Sequence, residues 1–145
     1  MPDYGPGANQ VTNGFVLKFA FGPWTNFGQS LAGIGGTYPL LLGDGSIEPG
    51  SPGSITLTKA KPSAPAYLIA GAVTLDAPFK GGTMVPQPQL LIPLSTNPSG
   101  SRVLSWLHWP AALPSGTELL LQYWIVDPAG PAGFSASNAL QASVP

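Results

Sequence analysis

Proline and glycine interrupt this chain so often that a helix has nowhere to run. The 145 residues include 18 prolines and 19 glycines, and a proline inside a helix removes a backbone donor and clashes with the preceding turn. No window of about 11 to 18 residues holds an apolar period of 3.6. A period of two is easy to find. Phe15, Leu17, Phe19 and Phe21 point to one side of an extended segment, and Val16, Lys18 and Ala20 to the other. Ile55 and Leu57 alternate with Thr56 and Thr58, and Tyr67, Ile69 and Gly71 with Leu68 and Ala70. Lys61-Pro62-Ser63-Ala64-Pro65 reads as the turn between those two strands. Residues 38–42, 90–94, 102–108, 117–126 and 135–144 supply further strands. About eight short strands with little or no helix predict an all-β fold, an antiparallel β-sandwich or jelly roll.

The segment 117–126 is the strongest core candidate. Leu119, Leu121, Tyr123 and Ile125 form one face, and Leu120, Trp124 and Val126 make the other apolar as well, broken by Glu118 and Gln122. A strand apolar on both faces belongs in the middle of a sheet and is covered twice. One cover is expected from the opposite sheet, the other from the N-terminal segment or a neighbouring molecule. Asn97-Pro98-Ser99-Gly100 and Asp127-Pro128-Ala129-Gly130 are turn sequences, because proline presets φ and Asn or Asp bonds the following backbone. Gly81-Gly82 reads as a hairpin tip. The chain divides into an N-terminal extension, residues 1–38, with one aromatic strand and a glycine-rich joint, and a sandwich domain over residues 39–145. The extension packs on its own domain or is donated to a neighbour.

Charge is scarce: 8% of the residues are Asp, Glu, Lys or Arg, against 43% hydrophobic, where a soluble domain ordinarily carries about 25% charged. The five cations Lys18, Lys59, Lys61, Lys80 and Arg102 cannot assemble a phosphate-neutralising patch, so nucleic acid is not an expected partner. No apolar run approaches the length of a membrane span. Cysteine is absent, which excludes disulfides, thiolate metal sites and a cysteine nucleophile. Met1-Pro2-Asp3 lacks the basic start and apolar core of a signal peptide. Two origins fit that start, a cytoplasmic protein or a mature secreted chain carrying an added Met.

Reactive constellations are hard to assemble. His108 is the single histidine; it has no Gly-x-Ser-x-Gly elbow to serve and cannot build a zinc site alone. The carboxylates Asp3, Asp44, Glu48, Asp76, Glu118 and Asp127 are scattered, and a glycosidase pair would need polar surroundings that this chain scarcely has. Asp44-Gly45-Ser46 with Glu48 is read as a polar turn rather than a calcium loop, and Asp127 as a turn former. Gly33-Ile34-Gly35-Gly36 lacks the spacing and the lysine of a phosphate loop. No catalytic residue, cofactor or metal site is expected.

From Pro39 onward the chain resembles a known family. The carrying motifs are Pro39-x-Leu41-x-Gly43-x-Gly45, Pro49-Gly50-Ser51-Pro52-Gly53-Ser54-Ile55-Thr56-Leu57 and Ala66-Tyr67-Leu68-Ile69-Ala70-Gly71. The longest is Gly116-Thr117-x-Leu119-x-x-Gln122-x-x-Ile125-Val126-Asp127-Pro128-x-Gly130-x-x-Gly133-Phe134-x-x-Ser137-Asn138-Ala139-Leu140. Together they are similar to the repeat-type β-sandwich domain near the C-termini of many secreted proteins of planctomycetes and related bacteria. The resemblance covers about residues 39–144. It implies an extracellular or cell-surface β-sandwich with no catalytic residues, and it favours the mature secreted chain. Cysteines that often stand near the start of that domain are missing here, and residues 1–38 have no counterpart in it.

Two functions follow. The first is a non-catalytic structural or interaction protein that self-associates through apolar strand faces into an oligomer, filament or surface layer, with Phe15, Leu17, Phe19 and Phe21 as the contact strand. The alternative is a carbohydrate-binding module in which Trp106, Trp109, Trp124 and Tyr67 form a platform for sugar rings of a polysaccharide.

Overall fold

The computed structural model describes residues 23–111 and 113–145. Eleven strands run through them: β1 (Trp24–Gly28), β2 (Leu40–Gly45), β3 (Gly53–Thr58), β4 (Pro65–Gly71), β5 (Thr74–Phe79), β6 (Gly82–Pro86), β7 (Leu90–Ser95), β8 (Arg102–Trp106), β9 (Glu118–Val126), β10 (Phe134–Ala136) and β11 (Ala139–Ser143). The described helical content is one 3₁₀ turn, Ile34–Gly36. The main sheet has the order β1-β11-β9-β4-β7 with β10 also on β9; a second sheet is β2-β3-β8; β5 and β6 form a separate hairpin. Every pairing is antiparallel. The fold is therefore the all-β sandwich that the alternation predicts, with more strands than expected. The aromatic segment 15–21 lies outside the described residues.

Alternation decides what each face of β9 meets. Leu121, Tyr123 and Ile125 turn inward and join Leu41, Ile55 and Leu57 of the second sheet in the principal core. Leu120 and Trp124 turn outward. Leu120 packs with Val85 and Ala139, and Trp124 with Ile69, Met84 and Ala136, flanked by Leu31. Among the described residues the outer cover of β9 is chiefly the β5–β6 hairpin, joined by Leu31 from the segment 1–38. The hairpin turns through Lys80 and Gly81, both at positive φ (52° and 85°), the pairing that a two-residue type I′ turn requires. Gly82 already pairs with Phe79, so the tip falls one residue before the Gly81-Gly82 expected. Phe79 meets Trp124 edge to face at 5.0 Å, and Lys80 Nζ lies 5.6 Å and 5.4 Å from the rings of Phe79 and Phe134, within cation–π range.

Two buried amides hold these layers in register. Gln122 is fully buried; its Oε1 accepts from Val85 N and Trp124 Nε1, and its Nε2 donates to Thr83 O and Ser137 O. One side chain thereby ties the hairpin to the main sheet. Asn138 does the same between sheets, accepting from Leu41 N at 2.7 Å and donating to Leu41 O at 3.0 Å. Its neighbour Ser137 uses Oγ to accept from Tyr123 N and to donate to Asn138 O. Those bonds divide the single strand expected over 135–144 into β10 and β11.

Candidate functional site: an uncovered flank of the sandwich

The two sheets differ in width, five strands in line against three. Their alignment is fixed at one side. Asn138 bonds β2 at Leu41, Trp24 Nε1 donates to Gly45 O at 2.9 Å, and the space a side chain would need at Gly43 is filled by the Trp24 indole. With β2 held beside β1 and β11, β3 and β8 reach across β9 and β4, and among the described residues no strand lies opposite β7. Burial agrees. On the inner face of β4, Ala66, Leu68 and Ala70 are buried, whereas on β7 Ile92 and Leu94 are half-buried and Leu90 is 55% exposed. On β3, Ile55 and Leu57 are buried, whereas Arg102, Leu104 and Trp106 on the inner face of β8 are half-buried. One end of this flank is closed by the turn after β7, where Ser63 N donates to Asn97 O and Ala60 N donates to Gly100 O.

The strand edges are guarded unequally. β2 has side chains on its free backbone groups, as described. β7 carries Pro93 in its middle, which removes a donor from an edge and discourages pairing. β8 has neither device: it pairs with β3 alone, and the outward backbone groups of Arg102–Trp106 take no partner among the described residues. Of the five buried side-chain atoms without partners among the described residues, four gather on the same side, namely Arg102 Nε, Trp106 Nε1, Trp109 Nε1 and the Tyr123 hydroxyl; the fifth, Ser135 Oγ, is on β10. Burial raises the Tyr123 pKa above its ordinary 10.0, and the charge of Arg102 offsets part of that rise.

Tyr123 yields a pH prediction. A phenol whose folded pKa is raised stabilises the protein fully below the unfolded value near 10.0 and loses that contribution as pH climbs through the folded value. Tyr123→Phe removes a buried hydroxyl with no partner, so unfolding free energy at pH 7 is expected to rise, by about 1 kcal/mol. Above pH 10 the variant is expected to lose less stability than wild type. Urea titrations at both pH values check this; equal alkaline losses would contradict it.

The other residues singled out in the sequence are placed as follows. Trp106 and Trp109 meet at 5.1 Å with planes 61° apart, Trp24 stands 6.1 Å from Trp106, and all three pack on the principal core. Trp124 is 2% exposed and pairs across strands with Tyr67 on the opposite face of the main sheet. The four rings do not make one platform, because the pleat sends residues 67 and 124 to the outer face while 106 and 109 serve the inner one. Phe15, Leu17, Phe19 and Phe21 lie outside the described residues.

Asp127 is buried; its Oδ2 accepts from Ile34 N, its Oδ1 accepts from Ala129 N, and it shapes the turn before β10. Gly33 is buried against it, with Asp127 and Ser135 in the space a side chain would need. His108 is exposed, its Nδ1 3.4 Å from the Gly50 carbonyl oxygen. A surface hollow of about 400 Å³ is lined by Pro23, Gly45, Ser46, Glu48, Ser143 and Pro145, with Glu48 as its one acidic side chain. Among the described residues no three His, Cys, Asp or Glu side chains gather in a metal-holding group, and no helix is long and apolar enough to cross a membrane.

Leu90, Ile92, Leu94 and Leu104 were not legible as site residues, since apolar alternation looks the same whether or not a strand lies opposite. No family model, curated protein or solved structure matches this chain.

Proposed function

We propose that this protein is a non-catalytic structural module that works outside the cell and self-associates through apolar strand faces. The observation that carries the reading is the flank beside β8, where an unguarded strand edge adjoins inner-face leucines that no second-sheet strand covers. Exposed edges of this kind pair with further chains unless they are blocked. The scarcity of charge supports the reading, because like-charge repulsion between copies is weak. The extracellular setting rests on the resemblance of residues 39–144 to secreted sandwich domains. For a sugar platform the ring geometry offers less support, since Trp106 and Trp109 are tilted and half-buried.

Sedimentation velocity over a concentration series is the test. Species heavier than the 14.8 kDa chain, rising with concentration, are expected. A single 14.8 kDa species at every concentration would remove the proposal.

A further inference from the structure

We infer that residues 15–21 of one copy supply the strand that the second sheet of the next copy lacks, an inference that rests on the self-association proposed above. The acceptor is the flank just described. Its lining comes from two strands and is chiefly apolar, Leu90, Ile92 and Leu94 on β7 and Leu104 with Trp106 on β8, with Arg102 as the one charged residue at the end of β8. Hydrogen-bond donors and acceptors on the outer side of β8 have no partner among the described residues, whereas Pro93 blocks β7. A chain filling this place must therefore be extended, must pair with β8, and must send alternate apolar side chains inward over β7. Residues 15–21 have that pattern: Phe15, Leu17, Phe19 and Phe21 on one side, with Lys18 on the other. The three phenylalanines bury about 150–200 Å² each, so they alone bring about 450–600 Å², most of one partner's share of a stable interface of standard size.

Reach assigns the donor to a different copy. β1 begins at Trp24 on the edge of the main sheet opposite β7, and four strand spacings of about 4.8 Å separate those edges by about 19 Å. Phe21 precedes Trp24 by three residues, which span about 10 Å when fully extended. A strand built from 15–21 cannot lie beside β8 of its own chain, so the flank is completed in trans. The contact is heterologous, one surface donating and a different one accepting, and repeats into an open chain or closes into a ring.

Two variants of the full chain test this. The donor-blocked protein carries Leu17→Asp and Phe19→Asp; the acceptor-blocked protein carries Leu90→Asp, at an exposed position chosen to spare the fold, with Leu90→Lys as a second version. Near-UV circular dichroism confirms that each is folded. Each variant alone is expected to sediment as a monomer, and an equimolar mixture to form a one-to-one heterodimer and nothing larger, because one intact donor and one intact acceptor remain. If wild type associates while donor-blocked protein alone does so equally, the contact is an edge-to-edge pairing of two β8 strands or another surface, and this inference falls while self-association stands. If the acceptor-blocked protein alone associates as wild type does, or the mixture stays monomeric, the inference also falls. A monomeric wild type removes both readings.

Discussion

Gln122→Leu is expected to lower the unfolding free energy by about 3 kcal/mol while leaving the shape of the core almost unchanged. Leucine has nearly the volume of glutamine but none of its polar atoms, so four groups lose their partner at once: Val85 N, Trp124 Nε1, Thr83 O and Ser137 O. An orphaned buried polar group costs about 1–3 kcal/mol. The sum is reduced because a buried leucine gains apolar transfer energy and because the hairpin can shift to rehydrate Thr83 and Val85. The loss should be local in origin, since β5 and β6 pair with each other and not with the main sheet. Hydrogen exchange at Val85 is accordingly expected to quicken more than at Leu68 in β4. Urea unfolding gives the magnitude; a variant within about 0.5 kcal/mol of wild type would mean that packing of Met84 and Val85 alone secures the hairpin.

Asn138→Ala is the second large effect, about 2–3 kcal/mol. Its amide satisfies both the N–H and the C=O of Leu41, so it stands in for the strand that β2 lacks on that side. Alanine leaves two buried backbone groups unpaired and leaves the Trp24 Nε1 to Gly45 O bond to join the sheets in its place. Asn138→Asp is the informative companion, because it keeps the acceptor for Leu41 N and loses the donor to Leu41 O. A loss from Asn138→Asp at least as large as that from alanine is expected at neutral pH, since a buried carboxylate would face a carbonyl oxygen. Urea midpoints for both variants check this, and two variants as stable as wild type would show that the core and the Trp24–Gly45 bond suffice to join the sheets.

These two amides also mark how far the sequence could be read. Strands with one buried face declare themselves: β3 alternates Ile55 and Leu57 with threonines, and β9 announces a double cover by being apolar on both sides. The hairpin strands do not. β5 contains Pro78 and leaves Leu75 and Phe79 largely exposed, so neither period nor proline avoidance points to a strand. It becomes one because Trp124 and Leu120 need a lid, a requirement that no local window contains. β1 was hidden in the same way, since Trp24 takes its place from Gly45 and Gly43 on β2. Gln122 reads from sequence as a break in an apolar face and Asn138 as one position of a long motif; their roles depend on partners 37 and 97 residues away.

The uncovered flank was illegible for a related reason. Counting strands does not say how they divide between sheets, and the imbalance arises because β5 and β6 leave the sandwich to roof the outer face of β9. The second sheet is left with three strands under a wider partner. Under the proposed self-association, charge scarcity is what a chain whose apolar faces meet other copies requires; the tryptophans are packing residues on two sides of one sheet.

Amide hydrogen exchange across β8, followed on the intact chain from dilute to concentrated solution, tests the central claim most directly. The outward N–H groups of Arg102–Trp106 should exchange quickly when dilute, since they have no partner among the described residues, and become protected as the concentration rises, while amides of β3 stay protected throughout. Exchange along β8 that does not change with concentration, in a protein that nonetheless forms oligomers, would place the contact elsewhere and contradict the account.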